Sequence, residues 1–393
     1  MAAFDDIETT LTRLDKRGLY RRRRVVDSAL SRTMVLDGRE VLNFCSNDYL
    51  GLASDPRVAA AFAAGIERWG VGSGASHLIC GHTSAHHELE EALADFTGRE
   101  RALLFSTGYG ANVGTINALV SKRDAVFEDR LNHASLLDGG WISRATFNWY
   151  EHCDARDLEA RLGSLQDDAG RTLIVSDGTF SMDGDMCPID DLVSVARRAG
   201  AWLMIDDAHG IGVHGAEGTG LVDPERFDTQ DVPVLMATLG KAFGTFGAFV
   251  AGDESLIEYL VQRARNYIYT TALPSAVAVA TLASLDIVRS EEWRRAHLNE
   301  LIERFRSGAH QLGLDLMPSS TPIQPILIGD SGRAMSVSRA LEERDILITA
   351  IRPPTVPQGT ARLRVTLTAA HTADDIDRLL EALSDVIDQR APE

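Results

Sequence analysis

The sequence is poor in cysteine and short of positive charge, and both shortages narrow what it can be. Its four cysteines, Cys45, Cys80, Cys153 and Cys187, form no CxxC pair and no framework spacing. That excludes a disulfide scaffold and a cysteine-based zinc site, and it suits a reducing compartment. Lysine and arginine number 39 against 57 aspartates and glutamates, a net charge of −18. So acidic a chain is repelled by phosphate, which argues against nucleic acid and membrane surfaces as partners. The N-terminus, Met1 to Asp6, carries early acids and lacks an apolar signal core, so a cytoplasmic protein is expected. The run Asn266 to Leu285 lacks charge, but its threonines, serines and Pro274 mark an interior segment or a subunit interface rather than a membrane span. Internal repeats and low-complexity linkers are also missing.

What is present is an ordinary globular composition in a chain of 393 residues, longer than one hydrophobic core usually supports, so two domains are expected, with three possible. Phe4, Ile7, Leu11 and Leu14 recur at helical spacing. Arg21 to Arg24 form a basic turn, and Asp37-Gly38 centres a hairpin from Met34 to Phe44. Asp55 caps a helix that has Pro56 at its first position. Gly70 to His77 is a glycine-rich loop. His82, His86 and His87 lie just beyond it, and the last two share no face with a third ligand, so no metal site is expected; His86, Leu89, Leu93 and Phe96 make a helix face instead. From Arg101 to Gly252 apolar strands alternate with helices, which means an α/β fold with a mostly parallel central sheet covered by helices. A smaller α+β region follows. The expected division is an N-terminal helix and hairpin segment over 1–50, a large α/β domain over 51–285 and a small C-terminal α+β domain over 286–393.

Lys241 follows the apolar run Val234 to Ala237 and sits among Gly240, Gly244 and Gly247. A lysine there reads either as a side chain snorkelling from a strand terminus or as an amine made reactive by lost hydration. The other strand ends bear on the choice. After Phe105 comes Ser106-Thr107-Gly108-Tyr109-Gly110-Ala111-Asn112, glycines entering a helix, whose free amides and dipole suit one phosphate. A dinucleotide reading would use Glu128, but Gly108-x-Gly110-x-x-x-Gly114 is not GxGxxG. His133 lies in Asn132-His133-Ala134-Ser135, Asp177 and Ser181 follow Val175, and Asp206-Asp207-Ala208-His209-Gly210 follows Ile205. Singly, such an Asp can be a cap and such a His a core residue. Together, an anion cradle, a lysine, a carboxylate and two histidines at strand ends match what pyridoxal phosphate needs.

At these residues the chain resembles the fold-type-I pyridoxal-phosphate enzymes and, among them, the α-oxoamine synthases. Asn43 to Leu52, Gly72 to Ser76, Ser106 to Asn112, Asp206 to Gly210 and Thr238 to Lys241 carry the resemblance, which extends from about Arg21 to the last helix. Thr349 to Pro357 and Gly359 to Arg364 are most similar to the branch joining L-alanine to a pimeloyl thioester in biotin synthesis. Two departures stand out: Asp177 replaces a usual glutamate, and Ala75 a usual glycine.

The resemblance implies that Lys241 carries the cofactor and removes the alanine Cα proton. Asp206 is implied at the ring nitrogen, His209 at the phenolic oxygen and His133 against the ring. Gly108 and Tyr109 would hold the phosphate, with Ser181 and Thr238 completing the pocket. Arg21, Asn47, His133 and Thr355 are implied at the substrates, and Arg352 at the amino-acid carboxylate. The acyl donor would be pimeloyl-CoA or pimeloyl-ACP, Arg22 to Arg24 could steer an acyl carrier protein, and a homodimer could bring Ser76 and Thr270 to a neighbour's site. Rival readings are a glycine- or serine-using relative, an aminotransferase or dehydrogenase, and a catalytically dead regulatory partner, which would be expected to lack the lysine.

Overall fold

The computed structural model describes residues 4–17, 19–165 and 170–388; Met1 to Ala3, the start of the acidic N-terminal stretch, lie outside the described residues. Helix α1 (Asp5–Lys16) comes first, with Ile7 and Leu11 exposed on its apolar side. Strands β1 (Thr33–Leu36) and β2 (Arg39–Asn43) form the expected hairpin, and Asp37 and Gly38 take φ values of 50° and 80°. A tight two-residue turn requires positive φ at both positions, which an Asp-Gly pair tolerates. Helix α2 (Pro56–Trp69) begins where Asp55 accepts a hydrogen bond from the Arg57 amide, and helix α3 (Ser84–Phe96) follows it.

Strands and helices then alternate as β3 (Arg101–Phe105), α4 (Gly108–Leu119), β4 (Ala125–Asp129), α5 (Ala134–Ser143), β5 (Thr146–Tyr150), α6 (Ala155–Leu162), β6 (Thr172–Asp177), α7 (Ile189–Ala199), β7 (Trp202–Asp206), β8 (Val234–Thr238) and β9 (Ala248–Gly252). They build a seven-stranded sheet in the order β3-β9-β8-β7-β6-β4-β5. The run from β8 to β5 is parallel, whereas β9 is antiparallel to both its neighbours. Every residue of β4 and β9 is buried, as helices on both faces of a sheet require. β5 escapes a pattern search because it is an edge strand whose residues are mostly half or fully exposed. The parallel run brings the carboxyl ends of β4, β6, β7 and β8 to one edge, so the segments carrying His133, Ser181, His209 and Lys241 emerge together.

Helices α8 (Glu254–Arg263), α9 (Arg265–Ile268), α10 (Ser275–Ser290) and α11 (Glu292–Gln311) lead into the C-terminal region. Most of the uncharged run lies in α10, which packs on α2; a Cβ on Gly65 would come within 2.8 Å of the Ala276 Cα. Among the described residues no helix is long and apolar enough to cross a membrane. The last elements are β10 (Ile323–Gly329), α12 (Ser331–Glu342), β11 (Ile346–Leu347), β12 (Thr349–Ile351), β13 (Ala361–Thr366) and α13 (Ala373–Asp388). β10, β13 and β12 form one small sheet, while β11 pairs with β2, so the N-terminal hairpin shares a second small sheet with the C-terminal region.

One glycine fixes the turn after the lysine. Gly244 has φ +65°, donates its amide to the Lys241 carbonyl at 2.9 Å, and lies against the main chain of Leu52 and Ala53. A Cβ there would fall on the Ala53 amide nitrogen and 2.5 Å from the Leu52 carbonyl carbon. Gly244→Ala is expected to destabilise the protein by about 3 kcal/mol, combining backbone strain with overpacking. A lower denaturant midpoint at unchanged m would register this; an unchanged midpoint would show that the two segments move apart freely.

Candidate active site

Lys241 emerges from β8 with Leu239, Ala242 and Phe243 fully buried around it. Its Nζ stands 2.8 Å from His209 Nε2. Burial lowers its pKa to about 8, even though the Asp206 and Asp177 carboxyls pull the other way. The side chain is half-buried and its amine is turned inward against His209, which favours the reactive-amine reading over a snorkelling side chain.

His209 is buried beyond β7, with Nδ1 2.6 Å from the Tyr49 hydroxyl; burial first, and then the Lys241 charge, hold its pKa well below the usual histidine range. Asp206 ends β7, where Oδ1 accepts the Ala208 amide at 3.0 Å and Oδ2 accepts Asn112 Nδ2 at 2.7 Å. On the adjacent strand its register partner is Asp177, whose Oδ2 accepts the His133 amide at 2.6 Å. Burial and the neighbouring Asp206 charge push the Asp177 carboxyl well above the usual range. His133 caps α5, exposed as a residue but with Nδ1 2.7 Å from Ser135 Oγ, and partial desolvation of the ring lowers its pKa.

At the head of α4 the Thr107 hydroxyl accepts the Gly110 amide at 3.0 Å. Helical geometry leaves the Gly108 and Tyr109 amides unpaired within the helix, an arrangement that favours an anion. The Tyr109 hydroxyl donates to Asp138. Thr238 Oγ1 donates to the Gly247 carbonyl at 3.0 Å, tying the lysine turn to the start of β9.

The remaining predicted residues divide between two places. Asn47 joins the lysine group: its Oδ1 lies 3.3 Å from the Tyr49 hydroxyl and 3.2 Å from Arg364 Nη2. Arg21, Arg352 and Thr355 line a cleft of about 620 Å³ between α1 and the segment after β12, together with Leu11, Leu14 and Tyr20. The buried guanidinium beside the lysine is that of Arg364, which sequence reading passed over. It donates to the Ser181 carbonyl at 2.6 Å and Thr366 Oγ1 at 2.8 Å, and its charge helps to lower the Lys241 pKa. Alternation in Arg362-Leu363-Arg364 was the available signal, since a strand arginine on an inward face needs a partner.

Three sequence puzzles acquire physical reasons. In the glycine loop positive φ falls on Gly70 and Gly74, at +74° and +67°, while the Ala75 carbonyl accepts the Ala272 amide at 2.9 Å; the extra Cβ therefore sits where an L-residue is at ease. Glu128, which a dinucleotide reading would put against a ribose, is fully buried and receives Asn132 Nδ2 at 3.2 Å. His86 receives the Thr83 amide at Nδ1 and faces the Leu273 carbonyl at 2.8 Å through Nε2; the fold also brings His77 and His82 beside it, a grouping their spacing did not suggest.

A family model for class I and II aminotransferases matches residues 39–383. An 8-amino-7-oxononanoate synthase of Methylococcus capsulatus is 58% identical over 386 residues, covering 98% of this chain and 99% of that protein. The chain belongs to the 8-amino-7-oxononanoate synthase family. A member of this family from Francisella tularensis superposes with TM-score 0.77 at 32% identity, over 89% of this chain and 98% of the other. The serine palmitoyltransferase of Sphingomonas wittichii superposes with TM-score 0.92 at 30% identity, over 99% and 98%. The chain has the fold-type-I architecture, and the cofactor of the 8-amino-7-oxononanoate synthase family is pyridoxal phosphate. The residues present fit that group: a half-buried amine of lowered pKa, an anion-favouring helix start and a doubly hydrogen-bonded carboxylate open on one edge of the sheet.

Proposed function

We propose that this protein catalyses the decarboxylative condensation of L-alanine with a pimeloyl thioester, giving 8-amino-7-oxononanoate, carbon dioxide and free thiol. The observation that carries the reading is a half-buried amine with its pKa lowered to about 8, beside a buried guanidinium that, among the described residues, donates to the neutral oxygens of Ser181, Thr366 and Asn47. Bound pyridoxal phosphate supplies an electron sink through which an amino acid can lose its Cα proton and later its carboxylate. In this reading Lys241 carries the cofactor, and its amine, largely neutral above about pH 8, takes the alanine Cα proton. Asp206 holds positive charge at the ring nitrogen, His209 faces the phenolic oxygen and His133 covers the ring. Gly108 and Tyr109 offer their amides to the phosphate, with Ser181 and Thr238 at its margin.

Arg364 is proposed for the alanine carboxylate. A buried guanidinium held by neutral oxygens favours an incoming anion, and its planar fork matches a carboxylate. Arg352 shares the apolar cleft with Arg21 and Thr355, which suits a long acyl chain ending in a carboxylate. Arg364→Ala is therefore expected to lower kcat/KM for alanine at least ~30-fold, the scale of losing one member of a buried charge pair. Arg352→Ala should raise KM for the acyl donor and leave that for alanine near normal. The reverse pattern in steady-state kinetics would return the carboxylate to Arg352.

The donor is pimeloyl-ACP or pimeloyl-CoA. Steering of a carrier protein rests on less charge than the sequence offers, because Arg24 is paired with Asp37 and Glu342 at 2.7 and 2.8 Å and Arg22 with Asp15 at 3.5 Å. We also infer a cytoplasmic homodimer. Val71, Ile79 and Tyr269 are exposed at 80%, 79% and 70%, an apolar surface flanking Ser76 that a second copy would cover. The deciding experiment gives purified protein alanine, glycine or serine with pimeloyl, succinyl, acetyl or palmitoyl thioesters and follows thiol and carbon dioxide release. Turnover confined to glycine would overturn the reading.

A further inference from the structure

Asp206 ends β7 and His133 follows β4, and two buried side chains without a role in the proposed reaction connect them. Asn112 on α4 and Ser135 on α5 are each 1% exposed. Asn112 Nδ2 lies 2.7 Å from Asp206 Oδ2 and 2.9 Å from Ser135 Oγ. A side-chain amide nitrogen carries two protons and an ionised carboxylate only accepts, so one N–H goes to Asp206 and the other to Ser135. The single Ser135 hydroxyl proton is then free to turn toward His133 Nδ1, 2.7 Å away. The Ser135 backbone amide addresses the same nitrogen at 3.3 Å. With two donors converging on it, Nδ1 is an acceptor, and a neutral ring must carry its proton at Nε2. Although the residue is exposed, partial desolvation of its ring lowers its pKa, which favours the neutral form.

We propose that Asn112 and Ser135 are positioning residues which tie His133 to Asp206 and hold His133 as the Nε2–H tautomer, so that it meets the substrate as a hydrogen-bond donor. The proposal rests on the site described above. In that site the thioester oxygen gains negative charge as the carbon–carbon bond forms, and a fixed N–H donor lowers the barrier for such a step. The opposite tautomer would present a lone pair to that oxygen. The relay also gives the pair a common geometry: displacing Asp206 moves the Asn112 amide, and with it the hydroxyl that orients the imidazole.

The test reads the nitrogens directly. In protein labelled with 15N-histidine, with His133→Gln used for assignment, the His133 Nδ1 resonance should show an unprotonated nitrogen and Nε2 a protonated one. Apoprotein and cofactor-loaded enzyme should agree. Ser135→Ala should shift both resonances toward a tautomer mixture and lower kcat ~10-fold, the scale of one lost hydrogen bond. KM for alanine should stay within about 2-fold, since Arg364 is untouched. Ser135→Thr, which keeps the hydroxyl, should restore the resonances and the rate. A protonated Nδ1 in the unsubstituted protein would overturn the proposal, as would Ser135→Ala with unchanged resonances and kcat. If the apoprotein spectra are as expected but no thioester is turned over, the relay stands and the reaction reading fails.

Discussion

Lys241→Ala is expected to lower kcat by ~10⁴-fold or more while leaving the fold intact. The two roles proposed for it vanish together, the attachment point of the cofactor and the base for the Cα proton, and general-base catalysis alone is worth ~10²–10⁴-fold. The side chain makes one described hydrogen bond, to His209 at 2.8 Å, so little of the surrounding packing depends on it. Borohydride treatment of loaded enzyme should fix pyridoxal phosphate to the Lys241 peptide, and no peptide of Lys241→Ala should gain that mass. A pH dependence follows from the lowered pKa. Only the neutral amine is a nucleophile, so covalent capture of the cofactor by apoprotein should accelerate as pH rises through about 8, and not near the ordinary lysine value of about 10.4. A rate that climbs only above pH 10 would mean that the amine is hydrated in solution. Cofactor fixed to another lysine in Lys241→Ala would move the attachment site.

How far the sequence shows this site depends on how local each cause is. An Asp-Gly turn, an Asp55 cap and continuous apolar strands are set by neighbours within a few residues, and each appears where its pattern lies. The strand-end residues were legible because a parallel sheet delivers consecutive carboxyl ends to one edge whatever the details of packing. Arg364 was not. What brings it to the proposed site is contact with Asn47 and Ser181, 317 and 183 positions away in the chain, and no local pattern encodes that. Arg352 lies in a conspicuous Arg-Pro-Pro-Thr stretch, yet that stretch faces the cleft beside α1. The same reason hid Tyr49, Asn112 and Ser135, all inside stretches that were recognised. Their roles arise only when four strand ends and two helices converge. β5 and the pairing of β11 with β2 were missed for a complementary reason, since half-exposed edge strands leave little periodicity to read.

Asp206→Asn is the second change with a large expected effect, and it separates charge from shape. The substitution keeps the outline of the side chain and removes its charge. Ala208 needs an acceptor at the position of Oδ1, so the new amide must turn its NH2 toward Asn112, where a donor already points. Asn112 then either faces another donor or rotates and releases Ser135. Breaking a buried charge pair from one side costs about 3–5 kcal/mol, which corresponds to ~10²–10³-fold in rate if the loss falls on the transition state. Asp177 does not compensate. Removing the Asp206 charge lets its carboxyl ionise more readily, but that charge forms one strand away and remains bonded to the His133 amide. The cofactor should still be fixed on Lys241 by borohydride, because attachment needs only the amine. What should fail is loss of the Cα proton, measurable without any acyl donor as exchange of the alanine α-hydrogen in deuterated water. Exchange at the unsubstituted rate would show that proton abstraction does not depend on the Asp206 charge, and the ring nitrogen would have to be assigned another partner.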